Sequence, residues 1–147
     1  MRTTVLKVAP TVFAVGILAF SGLVLAAEKT PLSSLANLAT ALTNGDADDA
    51  LELFDSKMST YAEIEQKIEA LTAQDDINCA IDIVTDEETG GVHKLDLDWF
   101  MQLKSQIDDS QLERRRVRVQ AEMRQIKGVW KITSISPVSV FDQINIK

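Results

Sequence analysis

The sequence predicts an α+β domain with N-terminal helices packed on a curved antiparallel sheet. From Pro31 to Gln74 the apolar residues recur with a period of about 3.6, which is typical of helices. After Gln74 the period falls to about 2, which is typical of strands with one apolar side. Because the strand segments follow one another without a helix between them, the helices are expected to cover the apolar side of the sheet.

Three helices are expected before the sheet. The first has Thr30 as its N-cap and ends at Asn44-Gly45. The second is short and has Asp46 as its cap. The third begins at Thr60, where Glu63 stands at the spacing of a capping box.

Four strands are expected after residue 74, separated by the polar segments 86–91, 106–110 and 126–128. Alternation places one set of side chains on the apolar side: Ile77, Cys79, Ile81, Ile83, Leu95, Leu97, Trp99, Met101, Leu103, Val117, Val119, Ala121, Met123, Trp130 and Ile132. Pro137 is expected to limit the last strand. Both tryptophans of the chain are therefore expected in the core.

The third strand carries four arginines within five positions. Arg114, Arg116 and Arg118 fall on its polar side. If this strand pairs antiparallel with the one before it, Asp96 and Asp98 come opposite or diagonal to these arginines. The row is therefore interpreted as a solvated face, and a basic recognition patch is the alternative.

The N-terminus has the layout of a secretory signal. Arg2 and Lys7 precede an uncharged stretch that ends in small residues at Ala26, so residues 1–26 are predicted to be a signal peptide and residues 27–147 the domain. An uncleaved membrane anchor is the alternative, because the stretch could just span a bilayer. The protein is expected to be exported to the periplasm or the extracellular space.

Charge and cysteine content restrict the function. Removal of residues 1–26 leaves 13 basic and 22 acidic side chains, a net charge near −9, which opposes nucleic-acid binding. Cys79 is the only cysteine and His93 the only histidine, so no disulfide within the chain and no conventional metal site are expected. Neither a phosphate-binding glycine loop nor a nucleophile elbow occurs.

Three segments in this order resemble the nuclear transport factor 2-like superfamily: "LTNGDADDALELFD", "LDLDWFMQL" and "GVWKITSISP". The resemblance covers Leu32 to Val138 and is closest to small secreted SnoaL-like domains of bacteria. It implies a cone with a cavity between sheet and helices. Some members of the superfamily are isomerases, cyclases or dehydratases that use an acid or base in that cavity, whereas others only bind ligands or partners.

The side chains expected to line such a cavity are Tyr61, Trp99, Arg115 and Trp130. No catalytic residue and no cofactor-binding or metal-binding residue is predicted. His93 and Arg115 both lie on the inward side but at opposite ends of the second strand, so they cannot form a dyad, and His93 is expected to be exposed beside a turn.

An inward carboxylate is also missing from the predicted cavity. Strand alternation directs three carboxylates to the outer face, those of Asp82, Asp96 and Asp98, although a β-bulge could turn any of these side chains inward. The chain is therefore expected to be a non-catalytic domain that binds a small apolar ligand or an envelope protein, with a homodimer through the sheet face as a further alternative. An enzyme of the isomerase, cyclase or dehydratase type is the second hypothesis. Contact with a membrane is expected only if the N-terminal segment is uncleaved.

Overall fold

The computed structural model describes residues 29–144. Helices α1 (Pro31–Thr43), α2 (Ala47–Leu51) and α3 (Tyr61–Gln74) come first. The N-cap of α1 is confirmed: the Ser33 N–H donates to the Thr30 hydroxyl at 3.1 Å, and the Thr30 N–H donates to the Ser33 hydroxyl at 2.9 Å. The cap of α2 is also confirmed, because an Asp46 carboxylate oxygen accepts the Asp49 N–H at 3.0 Å.

The predicted capping box at Thr60 is wrong. The Thr60 side chain makes no capping hydrogen bond, because its ψ of 8° is far from the extended value that a capping residue normally has. The Tyr61 N–H instead donates to the Met58 carbonyl at 3.1 Å, so α3 follows the preceding turn directly.

The sheet has four antiparallel strands in the order β1-β2-β3-β4. Their bounds are Asp75–Thr89, Val92–Ser105, Leu112–Ile126 and Val129–Ser136, and a short 3-10 helix spans Val138–Phe141. The loop expected at residues 86–91 is shorter than predicted, because Glu87 pairs with Lys94 and only two residues lie outside the strands. Those two, Gly90 and Gly91, both have positive φ, which glycine adopts without steric cost.

The core lies between the helices and the inner face of the sheet. The inner face of the central strand β2 is confirmed, because every second residue from Leu95 to Leu103 is at most 3% exposed. The ring of Trp99 packs edge-on against Phe141 at 5.4 Å, and Phe141 packs edge-on against Phe54 at 6.0 Å. All three rings are at most 1% exposed, so they fill the space between the sheet and the helices.

Two β-bulges change which residues face inward. In β1 the pairing passes from Ile83 to Thr85, so Val84 is an extra residue. In β4 the pairing passes from Ile132 to Ser134, so Thr133 is an extra residue. Each bulge shifts the alternation by one position and bends its strand.

Candidate functional site

The outer face of the sheet, which points away from the helices, carries a groove of about 370 Å³. Its polar lining comes from two rungs, each of which contributes one residue from every strand. The first rung is Thr85, Asp96, Gln120 and Ser136, and the second is Glu87, Lys94, Glu122 and Ser134. We call these eight residues the outer groove.

The outer groove exists because both bulges lie beside it. Without the extra residue Val84, Thr85 and Glu87 would point inward, and without Thr133 the same would hold for Ser134 and Ser136. The bulges therefore add polar residues from both edge strands to the polar faces of β2 and β3. The increased local bending that a bulge produces also favours a concave surface at this place.

Ion pairs hold the side chains beside the groove. Arg118 donates to one oxygen of Asp96 at 3.3 Å, and Arg116 donates to both oxygens of Asp98, the shortest contact being 2.5 Å. The hydrogen bond from Arg116 lowers the pKa of Asp98 below its usual value. The prediction that Asp96 and Asp98 come opposite or diagonal to the arginines is confirmed, and both ion pairs join diagonal neighbours. The other oxygen of Asp96 is buried and has no partner among residues 29–144.

Trp99 and Arg115, two of the residues predicted to line a cavity, both contact the C-terminal segment. Trp99 is fully buried against Phe141. Arg115 donates to the carbonyls of Val140 and Asp142, each at 2.7 Å, and forms an ion pair with Glu113. Arg115 therefore anchors the C-terminal segment over the core, and only 13% of its side chain is exposed.

Trp130 and Tyr61 lie in two other places. Trp130 is half-buried at the far end of the sheet, and its indole N–H donates to the Lys29 carbonyl at 3.0 Å. Tyr61 is half-buried in a separate surface groove beside Lys131. Burial raises the pKa of its hydroxyl, and Glu65 adds to this effect. Of the two tryptophans expected in the core, only Trp99 is fully buried, whereas Trp130 is half-buried.

A histidine–carboxylate pair lies beside Trp130. Asp86 faces inward because of the bulge at Val84, and its carboxylate is 2.7 Å from His93 Nδ1. The imidazole packs edge-on against the Trp130 ring at 4.8 Å. The expectation that His93 is exposed is wrong, because only 14% of its side chain is accessible. The adjacent apolar residues Ile83 and Val84, which break the alternation, were the signal in the sequence that could have revealed this pair.

Two further titratable groups are buried. Asp75 is 4% exposed, and burial raises the pKa of its carboxyl, while the nearby Ile144 backbone and the charge of Arg115 oppose that shift. Burial raises the pKa of the Cys79 thiol to about 12, so this thiol stays protonated and unreactive at neutral pH. Asp75 is in phase with the buried residues Ile77 and Cys79, so the alternation of β1 was the signal in the sequence that could have revealed it.

Residues 29–144 contain neither a cluster of metal-ligating side chains nor a helix that could cross a membrane. No group of three or more histidine, cysteine, aspartate or glutamate side chains in this range could hold a metal ion. No helix within it is long and apolar enough to cross a membrane.

Neither a protein-family model nor a curated protein sequence matches the chain. Solved structures do match it. A conserved protein from Planctomyces limnophilus has a TM-score of 0.63 at 8% identity, over 70% of this chain and 88% of that one. A proposed aromatic ring hydroxylase from Novosphingobium aromaticivorans has a TM-score of 0.57 at 15% identity, over 71% of this chain and 82% of that one.

A third match names its family. A proposed dehydratase of the NTF2-like family from Streptomyces avermitilis has a TM-score of 0.52 at 16% identity, over 69% of this chain and 88% of that one. Identities this low carry information about fold alone. The chain has the nuclear transport factor 2-like fold, in which N-terminal helices pack on an antiparallel sheet.

Proposed function

We propose that this chain is an exported, non-catalytic binding domain that engages a small ligand or an envelope protein through the outer face of its sheet. The contrast between the two faces is the main support. The rings of Trp99, Phe54 and Phe141 fill the inner side, and an apolar ligand there would have to displace one of them. The outer face offers a polar groove whose volume is at the lower end of the range for ligand pockets.

The partner on the outer face could also be a protein, including a second copy of the chain. Arg116 is 74% exposed beside the groove, and the half-buried ring of Phe100 lies on the same face. Arginine and aromatic side chains are enriched at protein interfaces. A polar groove next to such a surface therefore suits binding better than catalysis.

Native mass spectrometry of protein purified from its own envelope tests this proposal. The parent is expected to carry a bound ligand or partner, and the variant Ser134→Trp, which fills the outer groove with an indole ring, is expected to lose it. Ser110→Trp is the matched control, because Ser110 is exposed in the connection between β2 and β3. Retention of the bound mass by Ser134→Trp would contradict binding in the groove, and the same spectra report the oligomeric state.

Export is a separate part of the proposal, because residues 1–26 lie outside the described part of the chain. The small residues before Ala27 and the basic start at Arg2 support cleavage after Ala26. Intact-mass measurement of the native protein should give a chain that begins at Ala27. A full-length chain beginning at Met1 in the membrane fraction would instead indicate an uncleaved anchor.

An acid–base enzyme is the second candidate function, and the His93–Asp86 pair favours it. A carboxylate that accepts from Nδ1 of a histidine prepares Nε2 to take a proton from a substrate. Nε2 of His93 lies 4.0 Å from a carboxylate oxygen of Glu88, beyond hydrogen-bond length. Two of the similar structures are proposed enzymes, a hydroxylase and a dehydratase. If the parent converts any metabolite of an envelope extract and His93→Gln does not, while Lys57→Gln does, the domain is an enzyme and the non-catalytic proposal fails.

A further inference from the structure

We infer that the outer groove binds a small, uncharged ligand with several hydroxyl groups, such as a monosaccharide or disaccharide. The inference rests on the proposed function and adds the chemical class of the ligand. It follows from the charges of the groove, from its hydrogen-bonding groups and from the unpartnered oxygen of Asp96.

The charges in the groove favour an uncharged ligand. On the second rung, Lys94 stands between Glu87 and Glu122, with which it is paired in register. On the first rung, Asp96 is bonded to Arg118. An anion would therefore meet three carboxylates, and a cation would meet Lys94 and carboxylates whose charge Lys94 and Arg118 already neutralise in part. An uncharged ligand meets neither form of like-charge repulsion.

The hydrogen-bonding groups of the groove match hydroxyl groups. Thr85, Ser134 and Ser136 each donate and accept, and the Gln120 amide donates from its nitrogen and accepts at its oxygen. A sugar hydroxyl also donates once and accepts, so neighbouring hydroxyls of one ring can satisfy both kinds of group. An apolar ligand would leave these groups desolvated and unpaired, which opposes its binding.

The carboxylate of Asp96 supplies a specific anchor. One of its oxygens is held by Arg118, and the other is buried without a partner in the described range. A buried acceptor of this kind calls for a donor. Asp96 lines the outer groove, and the broad terminal torsion of an aspartate lets the carboxylate adjust to accept an O–H from a ligand there.

The groove also limits the affinity. Its lining contains no aromatic ring on which a sugar could stack. Binding then depends on hydrogen bonds that replace bonds to water, and the net gain from each is small. We therefore expect dissociation constants in the millimolar range, which NMR titration measures directly.

The test is a titration of the ¹⁵N-labelled mature chain with D-glucose, D-galactose and N-acetyl-D-glucosamine. At least one sugar is expected to shift the Gln120 side-chain amide and the backbone amides of Thr85 and Ser134. Gln120→Ala should lower the affinity for that sugar by about two- to tenfold, which is the effect of one lost hydrogen bond. Gln102→Ala is the matched control, because Gln102 lies on the same outer face but is bonded to Arg114 at 3.1 Å, outside the groove. It should leave the affinity unchanged.

Three outcomes would overturn the inference: no groove shifts with any of the three sugars, equal weakening by both glutamine variants, or tighter binding of spermidine or phosphate at the same amides. These failures are separable from failure of the proposed function. If Ser134→Trp loses the native ligand while no sugar binds, the face is a binding site and only the ligand class is wrong. If Ser134→Trp keeps its native ligand, the proposed function itself fails.

Discussion

Replacing Trp99 with alanine should be among the most damaging single substitutions in the domain. Trp99 is fully buried in the central strand and packs edge-on against Phe141. A buried tryptophan removes about 200 Å² from water, which corresponds to about 5 kcal/mol of transfer free energy. The edge-on aromatic pair adds about 0.5–1.5 kcal/mol.

Two effects reduce the net cost of this substitution. Alanine retains part of the buried area, and the neighbouring side chains relax partly into the space. In addition, the indole nitrogen of Trp99 is buried without a hydrogen-bond partner in residues 29–144, and its removal relieves that penalty. We therefore expect the free energy of unfolding to fall by about 3–5 kcal/mol, the usual range for a buried tryptophan.

Urea denaturation followed by far-UV circular dichroism measures the effect, with Trp130→Ala as the matched control. Trp130 is half-buried and has an edge-on contact with His93 and one hydrogen bond to the Lys29 carbonyl. Its truncation should cost about 1–2 kcal/mol. If Trp99→Ala lies within about 1 kcal/mol of the parent, or costs less than Trp130→Ala, the inward-facing assignment of β2 is wrong.

Three further substitutions test the charged groups. Arg116→Gln should shift the melting temperature by less than about 3 °C at neutral pH because the pair is exposed. Since the pKa of Asp98 is lowered in the folded state, the difference between parent and variant should shrink as the pH falls through that lowered value, and a difference that stays constant on acidification would contradict the ion pair. Asp75→Asn should stabilise the protein by about 1 kcal/mol at neutral pH in thermal melts. Because the folded-state pKa of Asp75 is raised, this gain should appear only as pH rises above the usual aspartate value, and a gain of equal size at pH 3 would refute burial as its cause. Arg115→Gln should cost about 2–4 kcal/mol in urea and speed hydrogen exchange of the C-terminal segment, whereas the exposed Arg114→Gln should do neither; equal effects of the two variants would show that Arg115 is no anchor.

The central strands could be predicted from the sequence because each has neighbours on both sides. Alternation in β2 and β3 is unbroken, so the parity read from Leu95 or Val119 holds along the inner face. The arginine row follows from the same parity, and the facing acids on β2 complete it. Long, regular pairing leaves a strand no freedom to slip without turning its apolar side to water.

The edge strands could not be predicted to the same degree. A bulge costs little where one side of a strand is unpaired, so alternation alone does not reveal it. The extra residue Val84 turns the side chain of Asp86 from the outer to the inner face of the sheet, where it pairs with His93. The extra residue Thr133 likewise turns Ile135 to the inner face, where it is 5% exposed. The cap at Thr60 failed for a related reason, since local spacing does not determine the backbone angle that a capping residue adopts.

The bulges determine which side chains stand on the inner face and which on the outer face, so they affect both candidate functions. The bulge in β1 turns Asp86 inward to His93 and, by the same shift, turns Thr85 and Glu87 outward into the groove. The extra residue Val84 therefore produces the acid–base pair on one face and, together with the bulge at Thr133, the polar groove on the other. Substitutions at separate side chains therefore distinguish the two candidate functions: His93→Gln tests proton transfer, and Ser134→Trp tests ligand binding in the outer groove.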